Sequence, residues 1–186
     1  MEQKGFFERP LVKWGLFLGG VNVVYILLLY IIDVSLLVSF WNSLISLAIT
    51  VGFMVLAMRE QRAANGGVLA YGNAVVLGIG IGVLSSIIGV AFNGILYNVI
   101  DPGLAETMKE LTVEKTASMM EGFGASEADI EKALENMDAR NFEQNFRSMA
   151  TALMVSAVFS AFVALIVGAF MKRNPDIFEE STDAGA

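Results

Sequence analysis

Neither cysteine nor histidine occurs anywhere in the 186 residues. Their absence removes thiol nucleophiles, disulfides, imidazole bases, catalytic triads, and protein-ligated haem or ordinary zinc sites. Charge is also sparse, at 17% of residues, and it is mostly acidic, with 19 Asp+Glu against 12 Lys+Arg. A basic footprint for nucleic acid is therefore missing. What fills the chain instead is hydrocarbon: 55% hydrophobic residues and a mean hydropathy of +0.63. Counted with glycine and without tyrosine, about 62% of the residues are apolar, against roughly 45–50% in a soluble domain. A chain this short cannot hide such an excess in a globular core. It belongs in a membrane.

Four stretches are long and apolar enough to cross a hydrocarbon core, which takes about 20 helical residues. They run from Leu11 to Ile32, from about Val34 to Met58, from about Ala74 to Ile100, and from about Met149 to Met171. The fold class expected is all-α: a polytopic membrane protein of four spans, forming one domain over 1–186, with a helical insert at 101–147 between the third and fourth. The first two spans are separated by a turn around Asp33-Val34-Ser35 and form an antiparallel hairpin. The first apolar run exceeds the about 7–15 residues of a signal-peptide core, and no small-x-small cleavage site follows, so it reads as a retained span.

Lys and Arg beside the spans set the expected orientation. Lys4 and Arg9 precede the first span and Lys13 stands at its edge, Arg59 and Arg62 follow the second, and Lys172 and Arg173 follow the fourth, while the first connection has none. Both termini are thus expected to be cytoplasmic and 101–147 extracytoplasmic. Trp14 and Tyr71 fall near the inner interface, and Tyr30, Trp41 and Tyr97 near the outer one, as an aromatic belt requires. The insert holds five basic residues (Lys109, Lys115, Lys132, Arg140, Arg147) against eleven acids. Such a balance reads as a solvated helical surface.

Asp101-Pro102 supplies a helix start, with Asp as N-cap and Pro at the first helical position. Leu104, Met108 and Leu111 form a stripe, and Gly122-Phe123-Gly124 closes the helix. Ser126 and Asp129 resemble a capping box. Ile130, Ala133, Leu134 and Met137 then give a second amphipathic stripe, and Phe142, Phe146 and Met149 carry helical spacing into the fourth span. Two or three short helices, packed on one another and on the span ends, are expected. Glu127-x-Asp129-x-Glu131 resembles a calcium loop only superficially, since Lys132 stands where the loop needs glycine.

Inside the spans, Gly78-Ile-Gly80-Ile-Gly82 fails as a dinucleotide fingerprint, because position 83 is Val and no strand precedes it. Spacing explains it better. Ala74, Gly78, Gly82, Ser86 and Gly94 fall on a four-residue ridge interrupted at Val90, and the fourth span repeats the pattern with Ala152, Ser156, Ser160, Ala164 and Gly168. The first span adds Gly15 and Gly19. Small-xxx-small ridges let helix backbones approach closely, where dispersion and weak Cα–H···O contacts accumulate. Against each other, against lipid, or against another subunit are the partners open to them.

No Asp, Glu, Lys or Arg lies deep within a span. Buried charges mark ion pathways and proton relays, so pumps and proton-coupled transporters are disfavoured. Asn22, Asn42, Asn93 and the run Ser39, Ser43, Ser46, Thr50 remain. Asn42, Ser46 and Thr50 share one face, either for interhelical hydrogen bonds or as a polar path for a small solute.

Gly72-Asn-Ala, the Gly-rich span, Tyr97-Asn-Val-Ile-Asp101-Pro102, the acidic helical insert, and a final span ending Lys172-Arg173-Asn174-Pro175 together resemble a known family. It is the group of bacterial inner-membrane proteins called "domain of unknown function 4199", and the resemblance covers roughly residues 8 to 175. It implies four transmembrane helices with an insert between the last two, in a bacterial inner membrane. It implies no activity, cofactor or catalytic residue.

The expected role is therefore that of a non-enzymatic membrane scaffold, accessory subunit or homo-oligomer without a cofactor. Its partners would be membrane lipid, other membrane subunits or a second copy, and not nucleic acid. One alternative is a channel or facilitator for a small neutral solute along the Asn42/Ser46/Thr50 face. Another is an enzyme at the outer surface using insert carboxylates, which would need a pair with separated pKa values that no pattern in 101–147 supplies.

Overall fold

The computed structural model describes residues 9–138 and 145–173. Lys4, Arg140, Phe142, Asn174 and Pro175 lie outside them. Among the described residues there are six α-helices: α1 (Pro10–Ile32), α2 (Phe40–Ala64), α3 (Tyr71–Ile95), α4 (Leu104–Gly122), α5 (Glu127–Asp138) and α6 (Phe146–Met171). Helices α1, α2 and α6, together with α3 and its π-helical continuation to Ile100, are each long and apolar enough to span a membrane. We call the end of the bundle holding Arg9, Asn65 and Arg173 the terminal end, and the other the insert end.

Helix α3 is the centre of the bundle, and its glycines explain why. Successive residues turn about 100° around a helix, so positions two apart lie nearly opposite. Gly78 and Gly82 accordingly face α6, while Gly80 faces α1. A Cβ at Gly78 would come within 2.7 Å of the Ala164 Cβ, whereas one at Gly80 would run into the tip of Leu11. α1 and α3 run parallel and interlock in one register: Leu11 sits on Gly80, Leu84 on Gly15, and Ile88 on Gly19. α6 runs antiparallel to α3, with Gly168 beside Ala74, Ala164 on Gly78 and Ser160 on Gly82. Without side chains between them the backbones approach closely, and that contact drives association where lipid is as apolar as the helix surface.

Several boundaries differ from the sequence expectation. α2 begins at Phe40, not Val34, because Val34–Val38 winds into a 3₁₀ turn. The Asp33 carboxylate accepts the Ser35 N–H at 2.8 Å and starts that turn. This bond holds the Asp33 carboxyl below its usual range, so its stabilisation is full above the ordinary pKa and is lost as pH falls through the lowered one. α2 also continues past Met58 to Ala64, ending where Gly66 and Gly67 take positive φ angles of 67° and 91°. α3 starts at Tyr71 rather than Ala74, and α6 at Phe146 rather than Met149, with the Asn145 side chain accepting the Ser148 N–H at 2.9 Å. Asp101 is not the N-cap of α4. The helix begins at Leu104, and the Asp101 carboxylate instead accepts the Tyr30 hydroxyl at 3.0 Å.

The end of α4 follows the glycine logic of the sequence. Gly124 has φ 75°, its N–H donates to Glu121 O, and the Ala125 N–H donates to Met120 O, a Schellman closure. The Ser126 hydroxyl accepts the Asp129 N–H at 3.3 Å and donates to its carboxylate at 2.6 Å. α4 lies on the 34–38 turn and on α5, and the buried Leu104 anchors its start. α5 is held through α4, with Ile130, Ala133 and Leu134 half-buried.

The terminal end is tied shut twice. Glu60 of α2 accepts from the Lys13 ammonium at 2.8 Å and from the Trp14 indole at 2.7 Å, joining α2 to α1. Leu69, just before α3, exchanges two backbone hydrogen bonds of 2.9 Å with Arg173, just beyond α6. Between these ties lies the core, in which Met54, Ala57, Met58, Ala74, Ile81 and Ala164 are wholly buried.

Candidate functional site

Above that core, toward the insert end, the four spans part around a cavity of about 500 Å³. α1 contributes Leu18, Asn22, Tyr25 and Ile26; α2 contributes Ser46 and Thr50. α3 contributes Gly82, Ser85, Ser86, Gly89, Val90 and Asn93, and α6 contributes Ala152, Val155, Ser156, Phe159 and Ser160. Polar groups here are hydroxyls and amides. None of the lining residues is Asp, Glu, Lys or Arg.

The small-residue ridges build this wall. On the terminal side, Ala74/Gly168, Gly78/Ala164 and Gly82/Ser160 close α3 onto α6. Further along, Ser86 and Ser156 continue the two ridges but lie on the cavity wall, as does Ala152. Gly94 comes back into contact, with Met149 Cε 3.0 Å from where its Cβ would stand. The ridge residues therefore do two things: they seal one half of the helix pair and line a space in the other.

Several of the lining groups bond within the protein. The Asn22 amide donates to Ser85 Oγ at 3.4 Å, joining α1 to α3; such interhelical bonds average about 0.6 kcal/mol. Thr50 and Ser86 donate to carbonyls one turn back, Ser46 O and Gly82 O, both at 2.8 Å. Those bonds satisfy a hydroxyl without a neighbour. Ser46 donates to Asn42 Oδ1 at 3.3 Å, and the Asn42 amide donates to Leu37 O at 2.8 Å. Of the Asn42/Ser46/Thr50 face, then, Ser46 and Thr50 reach the cavity, while Asn42 fastens the 34–38 turn to α2. Among the described residues, no hydrogen bond engages the side chains of Tyr25, Asn93, Ser156 or Ser160. Ser160 is 5% exposed as a residue, and since no buried side-chain N or O atom among the described residues lacks a partner, its hydroxyl is open to the cavity.

The floor is apolar and tight. Leu18 is 1% exposed, and Met54 and Ile81 are wholly buried. Met54 and Met58 also reach the α3–α6 seam, with their Cε atoms 3.6 Å and 3.1 Å from where Cβ atoms on Gly82 and Gly78 would stand. The cavity is blind toward the terminal end.

Sequence reasoning had named Asn22 and Asn93 as intramembrane polar residues without joining them to a site. It missed Tyr25 and Ser85. Their helical spacing contained the signal: Leu18, Asn22, Tyr25 and Ile26 share one α1 face, and Ser85, Ser86, Gly89 and Asn93 share one on α3. Glu60 was missed as well, and only tertiary pairing with Lys13 and Trp14 reveals its role.

Fold and cavity together define an all-α polytopic membrane protein of four spans. The chain belongs to the family described as Protein of unknown function (DUF4199), whose sequence profile matches residues 13–173. No curated protein matches the chain, and no solved structure does.

Proposed function

We propose that this is a non-enzymatic membrane protein that binds an uncharged ligand inside its four-helix bundle, serving as a binding accessory subunit. We place it in a bacterial inner membrane, with both termini cytoplasmic and residues 101–147 extracytoplasmic. The observation that carries the binding reading is the cavity of about 500 Å³, whose wall sets hydroxyls and amides from all four spans among apolar side chains. Ligand sites take this size and this pattern of a few polar groups set among apolar ones. An acid–base role finds no support in the lining, which holds no Asp, Glu, Lys or Arg. A passage is disfavoured by the floor of Leu18, Met54 and Ile81. The orientation rests on Arg59 and Arg62 at the end of α2 and on Lys172 and Arg173 after α6.

The chain has no cysteine, so single cysteines report cleanly. In intact cells a membrane-impermeant maleimide should label Ser118→Cys, an exposed site on α4, and leave Asn65→Cys untouched. Labelling at Asn65 without permeabilisation would reverse the orientation. In proteoliposomes, N-ethylmaleimide should modify Ser156→Cys on the cavity wall much faster than Ile81→Cys in the floor. Equal, slow reaction at both positions would overturn the binding reading. Glycerol flux above that of protein-free liposomes would replace it with a facilitator.

A further inference from the structure

The polar cavity does not stand alone. Beside it, an apolar groove of about 410 Å³ runs between α2 and α6 toward the terminal end. Phe159 lines both spaces, and Ser46 on the cavity wall is followed directly by Leu47 in the groove. From Phe159 to Phe170 the groove follows α6 for about 16 Å, at 1.5 Å per residue. Val51 on α2 and Ile166 on α6 form part of its opposite walls, and all of its lining residues are apolar.

A hydroxyl-rich chamber that shares the Phe159 wall with an all-apolar trough matches one kind of molecule. We propose that the ligand is an uncharged single-chain amphiphile, its compact oxygen-bearing head in the cavity and its hydrocarbon chain in the α2–α6 groove. The inference rests on the cavity-binding reading and adds the ligand class. A charged head is selected against because the lining offers no counter-ion, and an unpaired charge in low dielectric is costly. Uncharged hydroxyl or ester oxygens suit Tyr25, Asn93 and Ser160, which donate and accept at one centre or the other. A groove about 16 Å long and one side chain deep accommodates an extended chain lying along α6.

The probe is monoolein, with its glycerol head and one oleoyl chain, tested by protection of Ser156→Cys from N-ethylmaleimide in nanodiscs. At about ten times its dissociation constant, monoolein should slow labelling about tenfold by mass action. Glycerol at the same concentration should give no protection, and oleoyl lysophosphatidate, with the same chain and a charged head, should give little. Val51→Trp fills the groove without touching the cavity lining, so unliganded labelling should be unchanged and monoolein protection lost. Ile166→Trp, from the facing helix, repeats that test should Val51→Trp fail to fold. Protection by glycerol alone, equal protection by the charged lipid, or protection surviving in a folded groove-filled variant each overturns the amphiphile. If Ser156→Cys reacts freely and monoolein does not protect it, the amphiphile fails while the cavity reading stands. If Ser156→Cys is unreactive, the cavity reading fails first.

Discussion

Gly82→Leu should destabilise the bundle by about 3 kcal/mol, the upper end of what overpacking costs, in a reversible unfolding assay in mixed micelles. Two effects oppose each other. Leucine favours helix over glycine by about 1 kcal/mol, but any Cβ at position 82 would overlap the Ser160 Cβ and hydroxyl. A Cβ is fixed to its backbone and cannot swing aside, so α3 and α6 must separate, and the clash wins. Gly82→Ala should have the same sign and a smaller size. Ser160→Leu attacks the same contact from α6, so the double variant should lose less than the sum of the single ones, with a coupling of about 1–3 kcal/mol. Strict additivity would mean that the two residues face different neighbours in the membrane.

The α1–α3 seam allows a test by exchange. Leu11 of α1 rests on Gly80 of α3, and one turn along the same register the order is reversed, with Leu84 of α3 resting on Gly15 of α1. Gly15→Leu alone should cost about 2 kcal/mol through crowding, since its Cβ would lie 2.7 Å from Leu84 Cδ2. Leu84→Gly alone should also cost about 2 kcal/mol, combining a lost knob with the poor helix propensity of glycine. The two together rebuild the Leu11/Gly80 arrangement one turn further on and should recover most of the loss. If the double variant is as unstable as the two losses added, the parallel register is wrong.

Spans were the most legible part of the sequence because length and hydropathy alone determine them: Pro10–Ile32 and Phe146–Met171 differ from the expected ranges by three residues or fewer. Turn chemistry was less so. Asp101-Pro102 has the composition of a helix start, yet a tertiary partner, Tyr30, takes its carboxylate and the helix begins at Leu104. The ridges of α3 and α6 were visible as spacing. Their meeting in antiparallel register, and their parting around the cavity, depends on how three helices settle against α3. The opposite faces of Gly78 and Gly80 were legible in principle from helical geometry. The four-residue ridge took in Gly78 and Gly82 and left Gly80 without a partner, which hid the α1 contact.

The central position of α3 also bears on the order in which the molecule can be built. The interlocked pairs of the α1–α3 seam, from Leu11/Gly80 to Gly19/Ile88, all lie before Gly89, whereas α6 is separated from α3 by the whole insert. During synthesis α1 and α3 are both made before α6, so the parallel seam has its two helices first. The later helix then docks onto a glycine-lined furrow already held open by its neighbours, and Leu69–Arg173 is the last latch to engage. The insert thereby sets a delay between two assembly steps, and the cavity comes into being only with the second.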